Sequence, residues 1–250
     1  MKTSDLLNKY ESLLSDFRNS CYFGNVSITY ILTGPEFKES RIREFFKEHA
    51  LILKDKINTD YYIEVTKEEH PSICGGVTEY LTKIKLAKKL NIPLDKLGFF
   101  DDVNKIKYKN LSDKELAFAL YEPDIFYRSG RMYDDDIKKD KNLIINKAEI
   151  LSNIALKLIE KEFPIIETID FHPEGHVLYK NELAIKGDSD LLINNCLIDF
   201  KTKKDPKISI NDRAQLFAYA INKFARDSKE YAKIFILNAR YNCLVELVDN

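Results

Sequence analysis

The sequence feature that most constrains the fold is the pair Asn194-Asn195, which separates two short apolar runs rich in strand-forming residues. Asparagine tolerates the left-handed backbone conformation that a two-residue hairpin turn requires. The pattern therefore predicts a β-hairpin in which Ile193 pairs with Cys196. Such a hairpin fixes the register of every residue on both strands.

Counting outward from the turn places Asp190 opposite Asp199 and Asp188 opposite Lys201. Because side chains alternate along a strand, these four polar residues are expected on one face of the hairpin. The other face would collect the apolar residues Leu191, Ile193, Cys196, Ile198 and Phe200. The sequence thus predicts a hairpin with one core face and one charged face.

Two carboxylates in directly opposed positions repel each other, since their Cβ atoms lie about 4.5–5.5 Å apart. The pair Asp190 and Asp199 would need a cation or a shared proton. A hard divalent metal ion is the simpler explanation, because Mg²⁺ binds to one or two carboxylates and to phosphate oxygens. The alternative is structural: Asp188 and Lys201 would form a cross-strand salt bridge, and the two aspartates would lie at a wet end of the sheet.

The whole chain sets only broad bounds on function. Its 250 residues are enough for one large domain or two small ones with a real core. The net charge of −1 neither supports nor excludes nucleic acid, so any such binding depends on local patches. The four cysteines are scattered, which favours reduced intracellular thiols over a zinc or iron–sulfur site. No apolar run is long enough for a membrane span, and we expect a soluble, cytoplasmic protein.

Residues 1–140 are predicted to form an N-terminal α+β lobe, with a charged, turn-rich border at 129–142. A capping box of Ser112 and Glu115 predicts the start of one helix, which would end near Pro123. The other helices of this lobe are predicted from Thr3 or Ser4, over 35–53 and over 78–90, and the strands over 26–32 and 61–66.

Residues 141–250 show a cleaner order of helix, strands, helix and strands. Apolar residues recur at helical spacing between Ala148 and Ile159. Strand-like runs follow at 165–171, 176–186, 188–193 and 196–202, then a helix at about 211–226 and strands at 233–237 and 243–248.

Three motifs lie in sequence on these elements: Gly187-x-x-Asp190, Asp199-x-Lys201 and Gln215-x-x-x-Tyr219. Together they resemble the PD-(D/E)XK nuclease superfamily, specifically its RecB-like branch, over about residues 145–250. The resemblance implies an α/β fold with a restriction-endonuclease-like αβββαβ core, in which helices flank a central mixed sheet. The N-terminal α+β lobe lies outside the resemblance.

The resemblance also implies roles for individual residues. Asp190 and Asp199, with the backbone carbonyl of Phe200, would bind Mg²⁺ or Mn²⁺. Lys201 would orient or activate the attacking water and stabilise charge on the phosphate. Gln215 and Tyr219 would face the substrate from one side of their helix. The family often adds an acidic residue from the first core helix, and Glu149 is the candidate here, although its helical phase is away from the apolar stripe.

Two further segments are candidate contacts with DNA. A basic strip follows the Asp-x-Lys motif and comprises Lys203, Lys204, Lys207 and Arg213. In the N-terminal lobe, aromatic and basic residues alternate, most densely at 124–133, as in surfaces that stack single-stranded bases. These residues are Tyr61, Tyr62, Phe99, Phe100, Tyr121, Phe126, Tyr127, Arg128, Arg131 and Tyr133. Most of the aromatics could equally belong to the core; the hypothesis is that this lobe restricts access to strand ends.

The sequence therefore predicts a divalent-metal-dependent DNA nuclease, acting as an exonuclease on single strands or duplex ends. Two alternatives stay open: a site-specific restriction-type endonuclease, and a catalytically silent module that binds nucleic acid or protein. The chain carries no helicase motor, so helicase or recombination machinery would have to be a separate partner.

Overall fold

The computed structural model describes residues 3–18, 26–94, 110–130, 132–173, 177–179 and 182–250. Its α-helices are α1 (Thr3–Arg18), α2 (Ile28–Thr33), α3 (Arg41–Glu48), α4 (Pro71–Lys89), α5 (Asp113–Ser129), α6 (Asp135–Lys139), α7 (Lys141–Glu162) and α8 (Ile210–Asp227). Its strands are β1 (Ile52–Leu53), β2 (Ile169–Asp170), β3 (Val177–Tyr179), β4 (Glu182–Ile185), β5 (Leu191–Ile193), β6 (Cys196–Lys201), β7 (Lys233–Asn238) and β8 (Cys243–Val248).

Six of these strands form one mixed sheet in the order β1-β8-β7-β6-β5-β2. The central strands β6 and β7 run parallel, and every other pair in this sheet is antiparallel. Strands β3 and β4 form a separate hairpin. The predicted α/β class with a mixed sheet is therefore confirmed. No helix of the described residues is both long enough and apolar enough to cross a membrane.

The predicted hairpin turn is confirmed at Asn194 and Asn195, whose φ angles are 47° and 62°. Both residues are left-handed, as a two-residue turn of type I′ requires. The side chain of Asn194 also ties the turn to the segment before β2, because its Oδ1 accepts from the backbone N–H of Glu167 at 2.8 Å. Ile193 pairs with Cys196 as expected.

The paired ladder of this hairpin ends at Leu191 and Ile198. The backbone pairs expected beyond it, Asp190 with Asp199 and Asp188 with Lys201, are not part of the ladder. Instead, Oδ2 of Asp190 accepts a hydrogen bond from the backbone N–H of Phe200 at 2.7 Å. A side chain thus takes the place of the next strand carbonyl, and it ties Asp190 to the end of β6.

Both faces of the sheet are covered, which corrects the expectation of one charged face. Leu191, Ile198 and Phe200 belong to a core shared with α4, α5 and α7. On the opposite face, Leu197 and Ile236 belong to a second core under α8 and the N-terminal helices α1 to α3. The polar side chains of β6 are Asp199 and Lys201, near its carboxyl end. The other four residues of the strand are apolar and buried.

Helices and strands from both sides of residue 140 build these two cores. Strand β1 pairs with β8, and α4 packs along α7. In the second core, Tyr10 of α1 and Phe45 of α3 stack on each other, and Phe45 contacts Phe217 of α8. The predicted division into residues 1–140 and 141–250 therefore does not correspond to two separate cores in the described chain.

Two strands predicted in the N-terminal half are wrong. The run 26–32 forms α2 instead, where the side chain of Ser27 caps the helix by accepting from the N–H of Tyr30 at 3.2 Å. Its apolar residues Ile28, Ile31 and Leu32 are also spaced to suit a helix face, and they are buried in the second core. The run 61–66 is not a strand; the N–H of Ile63 bonds to the carbonyl of Arg240 at 2.9 Å.

Three helix boundaries also differ from expectation. The helix predicted over 35–53 is a 3₁₀ turn followed by α3. Helix α4 begins at Pro71 and runs through Gly75-Gly76, where a break was predicted. The capping box of Ser112 and Glu115 is confirmed, but α5 continues past Pro123 to Ser129. In α4 the glycines serve close packing rather than a turn.

Gly76 is where α4 meets α5, since a Cβ there would lie 1.9 Å from a ring carbon of Tyr121. We expect Gly76→Ala to lower the free energy of unfolding by about 1–3 kcal/mol, as overpacking of a core does. Urea denaturation of both proteins measures this difference. In a chain that also carries Tyr121→Ala, the same glycine substitution should cost less; an equal cost would show that the ring is not responsible.

Candidate functional site

The carboxyl end of β6 holds a buried cluster of opposite charges. Asp199 is only 3 % exposed, and its Oδ2 lies 2.7 Å from Nζ of Lys201. Asp199 and Lys201 are two residues apart on β6 and share the face toward α8. Asp190 reaches the same end of the strand through its bond to the N–H of Phe200. The structure thus brings together the three residues expected to carry the chemistry.

Burial raises the pKa of both aspartates. The pKa of Asp190 rises to about 6, mainly through burial and then through the nearby carboxylate of Glu79, against the opposing charge of Lys201. Burial likewise raises the pKa of Asp199 to about 7; Asp190 adds to this, while Lys201 opposes it. At both aspartates burial therefore outweighs the favourable charge of Lys201.

Lys201 is held as an ammonium ion. Burial disfavours its charge, but the carboxylates of Asp199, Asp190 and Asp212 outweigh burial and raise the pKa of Lys201 above its ordinary value. Its side chain is 14 % exposed. At neutral pH this residue can donate hydrogen bonds and offset negative charge, and it cannot accept a proton.

Asp212, in the first turn of α8, is a member of the cluster that sequence reasoning missed. Its Oδ1 lies 3.7 Å from Nζ of Lys201, and its Oδ2 forms an ion pair with Lys203. Oδ2 also accepts from Oγ of Ser209 at 2.6 Å and from its N–H at 3.1 Å, which completes a capping box. The S-x-x-D pattern at 209–212 signals the cap in the sequence, but it does not signal the contact with Lys201.

Glu79 of α4 was also missed. It lies close enough to Asp190 to raise that residue's pKa, and it pairs with Lys83 at 2.5 Å. Both side chains are largely buried, at 13 % and 6 % exposure. The sequence signal that could have found Glu79 is the presence of polar residues among the buried apolar residues of α4. Helix α4 approaches β6 at Gly75, where a Cβ would lie 2.4 Å from Oγ1 of Thr202.

Glu149 does not join the cluster. Its Oε2 lies 3.0 Å from Nζ of Lys114 on α5, and its side chain is 45 % exposed. The prediction placed the acidic residue on α7, which is the nearest helix before the strands along the chain. The acidic residue that raises the pKa of Asp190 is instead Glu79 of α4, which packs beside α7 on the same face of the sheet.

Gln215 and Tyr219 lie beside the cluster, but Tyr219 does not face an open surface. Tyr219 is 3 % exposed, and its hydroxyl donates to the carbonyl of Asp188 at 2.9 Å. Nε2 of Gln215 donates to the same hydroxyl at 2.7 Å and to Oγ1 of Thr29 at 3.1 Å. The N-terminal helices α2 and α3 pack on α8, and Tyr219 is buried while Gln215 is half-buried. These contacts fix the backbone two residues before Asp190.

In the predicted basic strip, Lys203 and Arg213 contact other residues of the chain, and Lys204 and Lys207 are exposed. Lys203 is paired with Asp212, and Arg213 donates to the carbonyl of Leu51 at 3.1 Å. Lys204 and Lys207 are exposed on the loop that leads from β6 to α8. These two residues are the part of the strip that can contact a phosphate backbone.

The aromatic residues of the N-terminal half divide between core and surface. Tyr133 is buried, and its hydroxyl donates to the carbonyl of Phe118 at 2.9 Å. Phe126 is 55 % exposed, Tyr61 is 45 % exposed, and Tyr62 stacks on Tyr241 with ring centroids 5.0 Å apart. Phe99, Phe100 and Arg131 lie outside the described residues, as do the side chains of Tyr127 and Arg128.

The donor set of the cluster suits a hard divalent cation, since Asp190 and Asp199 offer carboxylate oxygens. Oδ2 of Asp199 is buried, and it forms an ion pair with the ammonium of Lys201. No group of three His, Cys, Asp or Glu side chains in the described residues is arranged to hold a metal ion. A divalent ion at Oδ2 of Asp199 would have to displace the ammonium of Lys201, which lies 2.7 Å from that oxygen. The role of the Phe200 carbonyl stays a prediction.

The raised pKa of Asp199 predicts how the stability of the metal-free chain depends on pH. The folded chain binds more protons than the unfolded chain between about pH 4 and 7, so burial of Asp199 destabilises it progressively as the pH rises through that window. We expect Asp199→Asn to raise the free energy of unfolding at pH 8 by on the order of 2 kcal/mol, with little difference at pH 4. Urea denaturation in EDTA across this range measures the effect, and a difference independent of pH would contradict it.

Comparison of the chain with family models, with curated proteins and with solved structures gave no match. The case for any function therefore depends on the geometry of the cluster formed by Asp190, Asp199, Lys201, Asp212 and Glu79.

Proposed function

We propose that the chain is a divalent-metal-dependent DNA nuclease of the PD-(D/E)XK type, acting as a RecB-like exonuclease on single strands or duplex ends. The observation that carries this proposal is the buried cluster of Asp190, Asp199 and Lys201 at the carboxyl end of β6. Two carboxylates with raised pKa values around one lysine ammonium are costly to bury. Such cost is typical of sites retained for binding a cation and for catalysis.

Asp190 and Asp199 would hold Mg²⁺ or Mn²⁺. When bound, such an ion supplies Lewis acidity toward the phosphodiester and a nucleophile at neutral pH. The chain itself provides the fixed position of the two carboxylates. Asp190 is held by the N–H of Phe200, and the segment before it is held by Tyr219 through the carbonyl of Asp188.

Lys201 would donate hydrogen bonds to the attacking water and to the phosphate oxygens as negative charge develops on them. Its raised pKa keeps it charged at neutral pH, which favours orientation and charge stabilisation over proton abstraction. Lys204 and Lys207 are exposed within about 20 Å of extended chain from Lys201, so they can contact phosphates further along a strand.

One experiment separates this function from its alternatives. The full chain is incubated with 5′- and 3′-labelled single and double strands and with closed circular DNA, with Mg²⁺, with Mn²⁺ and with EDTA. The proposal predicts stepwise shortening of linear DNA from an end, and only with a divalent ion. Cleavage of closed circles at one sequence would instead identify a restriction-type endonuclease. Binding without product would identify a catalytically silent module and would overturn the proposal.

A further inference from the structure

The ammonium of Lys201 is shared by two carboxylates on different elements. Asp199, on β6 itself, lies 2.7 Å from Nζ, and Asp212, on the first turn of α8, lies 3.7 Å from it. Asp199 is a candidate ligand for a divalent cation, whereas Asp212 is engaged in capping a helix. The two contacts of Lys201 are therefore not equivalent.

We infer that Asp212 is a positioning residue for Lys201, the second anion that keeps its ammonium at the site when Asp199 takes up a divalent cation. This inference rests on the proposed function and names a residue that the three sequence motifs do not contain. It assigns Asp212 no contact with the substrate and no part in the reacting bonds.

Asp212 is built to stay in place while Lys201 changes partner. Its Oδ2 is occupied by the N–H and hydroxyl of Ser209 and by the ammonium of Lys203. These contacts leave Oδ1 directed at Lys201, and the side chain is only 11 % exposed. A carboxylate anchored by a helix cap cannot follow the lysine, so it acts as a fixed acceptor.

The charges explain why a second acceptor is required. The buried Oδ2 of Asp199 faces the ammonium of Lys201, and a divalent cation at that oxygen would repel the ammonium. Asp190 is itself a candidate ligand and is held by the N–H of Phe200, and Glu79 on α4 is already paired with Lys83. Of the three carboxylates that raise the pKa of Lys201, Asp212 is the one that is not a candidate metal ligand, so it can hold Lys201 beside the cation.

The test compares Asp212→Asn with Ser209→Ala in the full chain. The asparagine removes the charge while its amide oxygen can still accept from Ser209. The alanine removes the two bonds of the Ser209 hydroxyl, while the bond from the backbone N–H and the charge of Asp212 remain. Isothermal titration with Mn²⁺ gives the metal affinity without turnover, and steady-state kinetics on labelled DNA at saturating Mn²⁺ give kcat and KM.

For Asp212→Asn we expect Mn²⁺ affinity to fall about tenfold, since Lys201 without its second anion stays paired with Asp199 and opposes the ion there. At saturating Mn²⁺ we expect kcat to fall at least tenfold with KM for DNA unchanged. For Ser209→Ala we expect a lower melting temperature and losses of Mn²⁺ affinity and kcat smaller than those of Asp212→Asn, because the backbone N–H of residue 209 and Lys203 still hold Oδ2 of Asp212. An Asp212→Asn variant that loses Mn²⁺ affinity but keeps kcat at saturation would show a bulk charge effect and would overturn the inference.

The activity of the unaltered chain separates failure of the proposed function from failure of this inference. If the unaltered chain cleaves none of the DNA substrates, the nuclease proposal fails, and the inference that rests on it fails with it. If the unaltered chain cleaves DNA, the proposal stands, and the comparison of variants tests the inference alone. Unchanged Mn²⁺ affinity in Asp212→Asn would overturn the inference whatever the activity. Equal losses in Asp212→Asn and Ser209→Ala would assign the effect to the helix cap and would overturn it as well.

Discussion

Replacing Lys201 with methionine is expected to lower kcat for DNA hydrolysis by about 10³-fold, the effect of losing one preorganised group that stabilises transition-state charge. Methionine keeps much of the length of the side chain and removes the ammonium that lies 2.7 Å from Oδ2 of Asp199. Single-turnover kinetics on end-labelled DNA at saturating Mn²⁺ measure the loss. KM should change little, because this ammonium acts on charge that develops only during the reaction.

Lys56→Met is the matched control, since Lys56 is an exposed lysine outside the cluster. It should retain the activity of the unaltered chain. Lys201→Arg tests geometry at constant charge, and we expect only partial activity because a planar guanidinium does not replace a compact ammonium. A Lys201→Met variant with kcat within about threefold of the unaltered chain would exclude the proposed role for this residue.

Replacing Arg240 with leucine is expected to lower the free energy of unfolding by about 3–5 kcal/mol, the cost of breaking a buried ion pair from one side. Arg240 and its partner Glu69 are both fully buried. Nε of Arg240 also donates to the carbonyl of Thr202 at 2.8 Å, and Nη1 donates to the carbonyl of Glu64 at 3.1 Å. This arginine therefore ties the segment before α4 to the residue that follows Lys201.

Urea denaturation measures the loss, and two further variants show its origin. Arg41→Leu removes an arginine whose ion pair with Asp16 is exposed, so we expect a change of at most about 1 kcal/mol. The double variant Glu69→Gln with Arg240→Met should be more stable than Arg240→Leu, because it leaves no unpaired buried charge. An Arg240→Leu variant as stable as Arg41→Leu would contradict this account and would mean that Lys147, whose Nζ lies 3.7 Å from Oε2 of Glu69, is a sufficient partner for that carboxylate.

Two local features of the fold could be predicted from the sequence alone. The turn at Asn194-Asn195 and the capping box at Ser112 depend on contacts within four residues, and both were predicted correctly. The run 26–32 was assigned to a strand because β-branched residues favour strands, yet its apolar spacing also fits a helix. Packing against α8 decides between the two, and a short segment cannot encode its partner.

The candidate site divides in the same way. Asp190, Asp199 and Lys201 were found because one hairpin brings them together, and a hairpin can be counted from the sequence. Glu79 was missed because it lies more than a hundred residues before Asp190 and reaches the cluster only through the packing of α4. Tyr219 was expected to face the substrate because it lies off the apolar stripe of α8, whereas N-terminal helices pack on that helix and Tyr219 is buried.

For this protein, the sequence alone determined the turn at Asn194-Asn195, the helix cap at Ser112, the α/β class and the three residues that one hairpin brings together. The turn, the cap and the hairpin depend on near neighbours along the chain. The tertiary structure decided which helices cover the sheet, that Glu79 and Asp212 join the charged cluster, and that Tyr219 supports the backbone from within. Those outcomes depend on which distant surfaces bury each other, and burial also decides how strongly the clustered charges act on one another.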